Sequence, residues 1–182
     1  RDRDLFRVGM VVTLRHSTGD NNATEIDYTP NLVGPISAMD PVPDLALQVL
    51  GHTVLLDNAA LFASLAQGNV VEISGFADAS GRIRATFVEA MHAAPMPGEI
   101  FEINGFISAA RPDDGTFDIG PLPDGSGTPV TVSYAPGAVH GLPGGPANGM
   151  YVQVATRDTQ PGSGGFRADS VTLLAPRTSF PE

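Results

Sequence analysis

Four histidines are the first residues to weigh for catalysis or metal binding: His16, His52, His92 and His140. None stands at a ligand spacing such as His-x-x-x-His. His52 falls inside an alternating run, where a histidine packed in a strand or at its edge is expected. Three runs bring side-chain oxygens close together: Asp113-Asp114-Gly115-Thr116-Phe117-Asp118, Asp124-Gly125-Ser126-Gly127 and Ser17-Thr18-Gly19-Asp20-Asn21-Asn22. A calcium loop needs several such oxygens converging on one centre and a bidentate acid at its end. No segment carries that full pattern, and Asp, Asn and Gly are also the ordinary residues of hairpin turns. Ser, His and Asp all occur, but no Gly-x-Ser-x-Gly elbow does, and Gly162-Ser163-Gly164-Gly165 reads as a hairpin loop. Paired carboxylates for glycoside hydrolysis would have to face each other across a cleft. Glu72, Glu89, Glu99 and Glu102 are expected on strands, on a solvated outer face. Phe76, Phe87, Phe101, Phe106 and Phe117 mostly fall at alternating positions, which suits a core. Arg82 and Arg84 share a strand face that could meet an anion. The expectation is no catalytic residue, no cofactor-binding residue and no metal ligand.

Composition narrows the chemistry further. The chain has 182 residues, 20 acidic against 10 basic, and a formal net charge of -10. Every basic residue is arginine, and lysine, cysteine and tryptophan are absent. Without lysine there is no P-loop and no Schiff base. Without cysteine there is no disulfide framework, zinc ribbon or thiol nucleophile. The negative charge argues against nucleic acid, because phosphate neutralisation supplies most of that affinity. At 42% hydrophobic residues the chain can bury a core. No apolar run approaches the length of a membrane span. The chain opens Arg1-Asp2-Arg3-Asp4 with no initiator Met or signal peptide, which reads as a processed product or a fragment of something longer. The lysine-free, Gly/Pro-rich composition leans towards export.

The elements that must position any site are short strands. Gly (21) and Pro (16) make about a fifth of the chain and break almost every window long enough for a helix. Strands are expected at Gly9–Leu14, Leu45–Leu50, His52–Asp57, Asn69–Ser74 and Gly81–Glu89, with period-two alternation at Ile83, Ala85 and Phe87. Asp78-Ala79-Ser80-Gly81 is a hairpin turn with Gly placed for positive φ. One helical turn is expected from Asn58, a capping residue, to Gln67, ended by Gly68.

The chain also repeats itself. Val8-Gly9-Met10-Val11-Val12-Thr13-Leu14, Gln67-Gly68-Asn69-Val70-Val71-Glu72-Ile73 and Asn148-Gly149-Met150-Tyr151-Val152-Gln153-Val154 each lead through a polar turn into a second strand. Those second strands are Ala23-Thr24-Glu25-Ile26, Ala85-Thr86-Phe87-Val88-Glu89 and Arg167-Ala168-Asp169-Ser170-Val171. A further pattern precedes the later two: Val33-Gly34-Pro35-Ile36-Ser37-Ala38 matches Asn104-Gly105-Phe106-Ile107-Ser108-Ala109. Strand pairs follow each, Leu45–Leu50 with His52–Asp57 and Thr116–Ile119 with Pro129–Tyr134. The fold class expected is all-β, with tandem small OB-like five-stranded barrels, two full units plus a half unit. A small sandwich or a stacked meander is the alternative. The divisions are 1–32 (a terminal hairpin, the back half of a unit), 33–92 (unit A), 93–97 (linker), 98–175 (unit B) and 176–182 (tail). Unit B carries longer insertions at Pro121–Pro129 and Pro136–Pro146. A lone hairpin is marginal in water, so residues 1–32 need more chain upstream, packing on unit A, or strands from another molecule.

The runs Val33-Gly34-Pro35-Ile36-Ser37, Val49-Leu50-Gly51-His52-Thr53-Val54 and Val70-Val71-Glu72-Ile73-Ser74-Gly75-Phe76, continuing through Arg84-Ala85-Thr86, resemble a bacterial family. Its members are exported proteins of tandem OB-like β repeats, known only as a domain of unknown function. The resemblance is strong in unit A and looser in unit B. It implies that the chain is the latter part of a longer secreted or surface-anchored protein, and it brings no catalytic residues.

The function expected is therefore non-catalytic and structural. The chain reads as an extracellular or cell-surface building block, associated with a filament or sheath, that assembles by β-strand packing. Its partner is protein, either itself or another surface or filament protein, with no nucleic acid, membrane span or cofactor. The alternative is an OB-like module binding oligosaccharide or a small anion, which requires a concave face with exposed aromatics. An enzyme would need a pocket where a histidine meets a carboxylate.

Overall fold

A computed structural model describes residues 6–17 and 22–174. The expected turn residues Thr18–Asn21, the opening Arg1–Asp4 and the 176–182 tail lie outside the described residues. The fold is all-β. Strand follows strand because the apolar residues recur at period two and glycines at positive φ turn the chain between them.

Strands β1 (Val12–His16) and β2 (Ala23–Tyr28) form an antiparallel hairpin, a sheet by themselves among the described residues. Next come β3 (Leu32–Asp40), β4 (Leu45–Val49), β5 (His52–Leu56), the short helix α1 (Ala59–Ser64), β6 (Val70–Ala77) and β7 (Ile83–His92). Their pairing forms a circuit. β3 pairs with β4, β4 with β5, β5 with β7 in parallel, β7 with β6, and β6 with β3 again. The helix starts where the capping residue dictates, with Asn58 Oδ1 accepting from the Leu61 amide at 3.0 Å. It ends earlier than expected, at Leu65 rather than Gly68, because the chain turns extended there to lead into β6.

The second half repeats the circuit. Strands β8 (Phe101–Arg111), β9 (Thr116–Gly120), β10 (Val130–Ser133), β12 (Tyr151–Thr156) and β13 (Phe166–Leu173) pair in the same order, with β10 and β13 parallel. The two-residue strand β11 (Val139–His140) adds a parallel edge to β13. The Pro121–Pro129 and Pro136–Pro146 insertions are loops and 3₁₀ turns between these strands. The circuits are also joined to each other. Leu32 and Val33 of β3 pair with Ile103 and Glu102 of β8, so the two halves share one sheet. A single cluster of buried apolar side chains runs through both, including Leu47, Val54 and Ile73 in the first and Phe117, Val132 and Phe166 in the second.

One interior detail explains the Gly in each unit's first strand. Leu50 and Gly51, both at positive φ, form the tight turn between β4 and β5, and Leu50 is fully buried. A Cβ on Gly34 would lie 2.6 Å from Leu50 Cγ. Gly105, the counterpart in β8, likewise leaves room for the Gly120 carbonyl, which a Cβ would meet at 2.6 Å.

Candidate functional site

The three hairpins of the repeat are superimposable in register. Leu14 faces Ile26 in the first, Ile73 faces Val88 in the second, and Val154 faces Val171 in the third. One step on, each hairpin carries the same bulge, with one extra residue on the second strand: Thr24, Thr86 and Asp169. Thr24 Oγ1 donates to the Arg15 carbonyl at 3.1 Å, and at the matching bulge Thr86 Oγ1 lies 3.2 Å from the Ser74 carbonyl. Ile73 and Val154 are wholly buried, Val171 is too, and Val88 packs on the core. Leu14 and Ile26 are 57% and 41% exposed. The first hairpin thus has the strand pairing of a core hairpin and shows its core face to solvent.

Polar contacts tie this hairpin segment to the first circuit. The Gly9 carbonyl accepts from Thr86 Oγ1 at 2.6 Å, the bulge residue of β7. The Val11 amide donates to Ser74 Oγ at 3.0 Å. Glu89, Glu72 and Glu102 lie in one row, since Glu72 pairs with Glu89 and Val33 pairs with Glu72 on one side and Glu102 on the other. The hairpin segment supplies donors to two of them. Arg7 reaches Glu89 at 3.1 Å, and Tyr28 Oη donates to Glu72 Oε1 at 2.7 Å. Gln153 Nε2 donates to Glu102 at 2.9 Å. Burial raises the Glu102 carboxyl above its ordinary range; the Gln153 bond pulls it back and the Glu72 charge adds to the rise. These acids are half-buried and partnered, not on the solvated face expected of them. Glu99 is not on a strand but in the turn before β8.

A cleft of about 270 Å³ lies between the hairpin and the second circuit, lined by Thr13, Arg15, Asp27, Tyr28 and Tyr151 among others. Arg15 is held there by Asp27 at 3.2 Å and Glu25 at 3.6 Å, and Tyr151 is buried.

The other sequence candidates are dispersed. His16 and His140 are exposed. His92 lies 3.5 Å from Glu99, whose other oxygen accepts from the Met96 amide, so this pair fastens the 93–99 connection. His52 is buried with both ring nitrogens unpartnered, and burial lowers its pKa to about 4. The 113–118 acids separate. Asp113 and Asp114 sit in a 3₁₀ turn, while Asp118 on β9 bonds Arg111 at 2.7 Å and accepts from Thr131 at 2.8 Å. The Arg111 bond holds the Asp118 carboxyl below its usual range. Asp124 turns its own loop by accepting from the Ser126 amide and hydroxyl. Among the described residues no three His, Asp or Glu side chains gather as a metal site. Gly162 and Gly165 bond each other across a hairpin turn, as expected.

Arg82 and Arg84 each already face a carboxylate. Arg82 bonds Asp78 at 2.8 Å and Asp44 at 3.2 Å, and Arg84 reaches Asp57 at 3.4 Å. Phe101 and Phe117 are buried, but Phe76 is 46% exposed and Phe106 packs outside the core on Tyr151, 4.9 Å between centroids. The Thr86 bulge and the register identity of the three hairpins were not visible in the alternation of residues. Their only trace was the alignment of Ala23-Thr24, Ala85-Thr86 and Ala168-Asp169.

Residues 33–89 match the model of a family described as Domain of unknown function (DUF5666). No curated protein and no solved structure matches the chain. Among the described residues no helix is long and apolar enough to cross a membrane.

Proposed function

We propose that the chain is a non-catalytic structural building block, an extracellular or cell-surface protein of bacterial type that assembles by β-strand packing with a filament or sheath. In this reading the two circuits are OB-like barrels in tandem, the β3–β8 pairing is the joint between them, and the first hairpin is half of a third unit. The observation that carries it is the hairpin itself. It has the register and bulge of β6–β7 and β12–β13, yet Leu14 and Ile26 remain exposed. An apolar strand face at the edge of a two-stranded sheet is a site for pairing with another chain.

Electron microscopy of native material, with an antibody to the chain, tests the reading. The expected result is label along a polymer or a coat. A monodisperse monomer, free of any fibre, would remove the basis for it.

A further inference from the structure

We infer that the joint between the two circuits is a two-fold, self-complementary contact, and that the partner it fits is a second circuit of the same kind, a copy of the same circuit included.

The register of the joint carries this. Leu32 and Ile103 hold the same place in their circuits, since Leu32 pairs with Ile73 of β6 and Ile103 with Val154 of β12. These two equivalent residues pair with each other across the joint, antiparallel. One step to either side the roles exchange. Val33 faces Glu102 on one side, and on the other the Asn104 amide donates to the Asn31 carbonyl at 2.9 Å. Asn104 is the counterpart of Val33, and Asn31 that of Glu102. Antiparallel pairing of equivalent residues about a single pair is the pattern of a two-fold axis. Leu32 and Ile103, each 1% exposed, lie on that axis. The flanks follow the same rule. The β4–β5 turn reaches the second circuit, where a Cβ on Gly51 would lie 2.6 Å from Val130 Cγ1. The corresponding β9–β10 loop reaches the first circuit, where a Cβ on Gly81 would meet Gly127 Cα at 2.8 Å.

Such a contact is complementary to itself. Two second circuits would place Ile103 opposite Ile103, and Glu102 opposite Asn104 on both sides. No like charges would stand opposite each other. Two first circuits would place Leu32 opposite Leu32, and Asn31 opposite Val33. The first hairpin, however, lines a cleft with Tyr151 and Leu174 of the second circuit, so two first circuits would bring two hairpins together beside the axis. The pairing of two second circuits is therefore the one expected. The contact also closes on itself. Leu32 is paired on both sides, with Ile73 and Ile103, and so is Ile103, with Leu32 and Val154. No strand edge is left at the axis for a third circuit. Circuits of this pattern join here in pairs, and a larger array of them would grow through other surfaces. The pairing holds whether or not the chain is part of a filament.

The test frees the circuits to choose partners. A protease site is inserted between Ala94 and Pro95, in the exposed connection, and the folded full chain is cut there. The cut protein is unfolded in urea, refolded by dilution and read by native mass spectrometry. The uncut chain is refolded beside it to fix the yield. The expected masses are the one-to-one pair and, beside it, a dimer of two second circuits. Hydrogen exchange in that dimer should protect residues 102–104 as in the uncut chain. Asn104→Asp sets a carboxylate opposite Glu102 at two points of the dimer but opposite the neutral Asn31 in the one-to-one pair. It should remove the dimer and leave the one-to-one pair. Recovery of one-to-one pairs alone overturns the inference, as does recovery of separate circuits alone. A dimer indifferent to Asn104→Asp, or one with residues 102–104 unprotected, is joined through another surface and overturns it too.

Discussion

His52 shows how the burial of one side chain sets a measurable property of the whole protein. Its ring sits in the first residue of β5 opposite Val49, with neither nitrogen bonded. The nearby strand β4 carries no charge over Leu45–Val49, and Arg84 of β7 turns outward to Asp57. Burial is the cause that moves its pKa from 6.5 to about 4. The sign follows from linkage. Above pH 6.5 both folded and unfolded chains hold a neutral ring. As pH falls from 6.5 towards 4 the unfolded chain takes up a proton that the folded chain refuses, so stability is lost across that window. The full loss is about 3 kcal/mol, since each tenfold weakening of proton affinity corresponds to about 1.4 kcal/mol. His52→Leu removes the effect. Urea unfolding should show the variant gaining about 2–3 kcal/mol on the parent between about pH 7 and about pH 4.5. A difference that stays constant with pH would mean that the folded protein accepts the proton.

At the scale of elements, the β4–β5 turn and the first strand of its circuit are built as a pair. Leu50 adopts φ 47°, a region that costs a β-carbon-bearing residue about 1–2 kcal/mol, and it is held there by burial above Gly34. A methyl group on Gly34 would meet Leu50 Cγ at 2.6 Å, and the turn gives the leucine little freedom to withdraw. Gly34→Ala should therefore cost about 1–3 kcal/mol. In a Leu50→Ala background the same change should cost much less, a coupling of about 1 kcal/mol or more by double-mutant cycle. Additive costs would show that the glycine serves some other need. The sequence carried this pairing in part. Val33-Gly34-Pro35-Ile36 and its match at Asn104-Gly105-Phe106-Ile107 marked the repeat, since a glycine required by packing survives as a fixed letter in both copies. The bulge at Thr86 left no such mark. A bulge adds one residue without changing the kind of residue used, so the alternation at Ile83, Ala85 and Phe87 reads as continuous. In the fold, the extra residue passes the inward role to Val88 and leaves Thr86 free to bond Gly9. The same limit hid the docking of the hairpin. Tyr28 and Glu72 stand 44 positions apart, and nothing in either segment names the other.

For the whole molecule, the question is whether two repeats behave as two domains or one. Division at a 93–97 linker suggests independence, and the Gly and Pro of the insertions suggest loops facing solvent. The contacts say otherwise. Beyond the β3–β8 pairing, the β4–β5 turn of the first circuit lies against β10, since a Cβ on Gly51 would come within 2.6 Å of Val130 Cγ1. The β6–β7 turn touches the Pro121–Pro129 insertion, because a Cβ on Gly81 would meet Gly127 Cα at 2.8 Å. That insertion, the departure of the second unit from the first, is thus part of the seam between them. In a repeat array the interface between neighbours sets whether units melt together. With a shared sheet, one apolar cluster and two glycine-packed turns across the seam, the circuits should unfold as one. Calorimetry should give a single transition with calorimetric and van't Hoff enthalpies equal. Gly127→Val should weaken this coupling, because its Cβ would press on the Ser80 carbonyl and Gly81 Cα at 2.7 Å and the residue sits at φ 89°. The variant is expected to melt in two steps, or in one broadened step whose van't Hoff enthalpy falls below the calorimetric value. Two steps already present in the parent would show that the seam is a contact between independent domains.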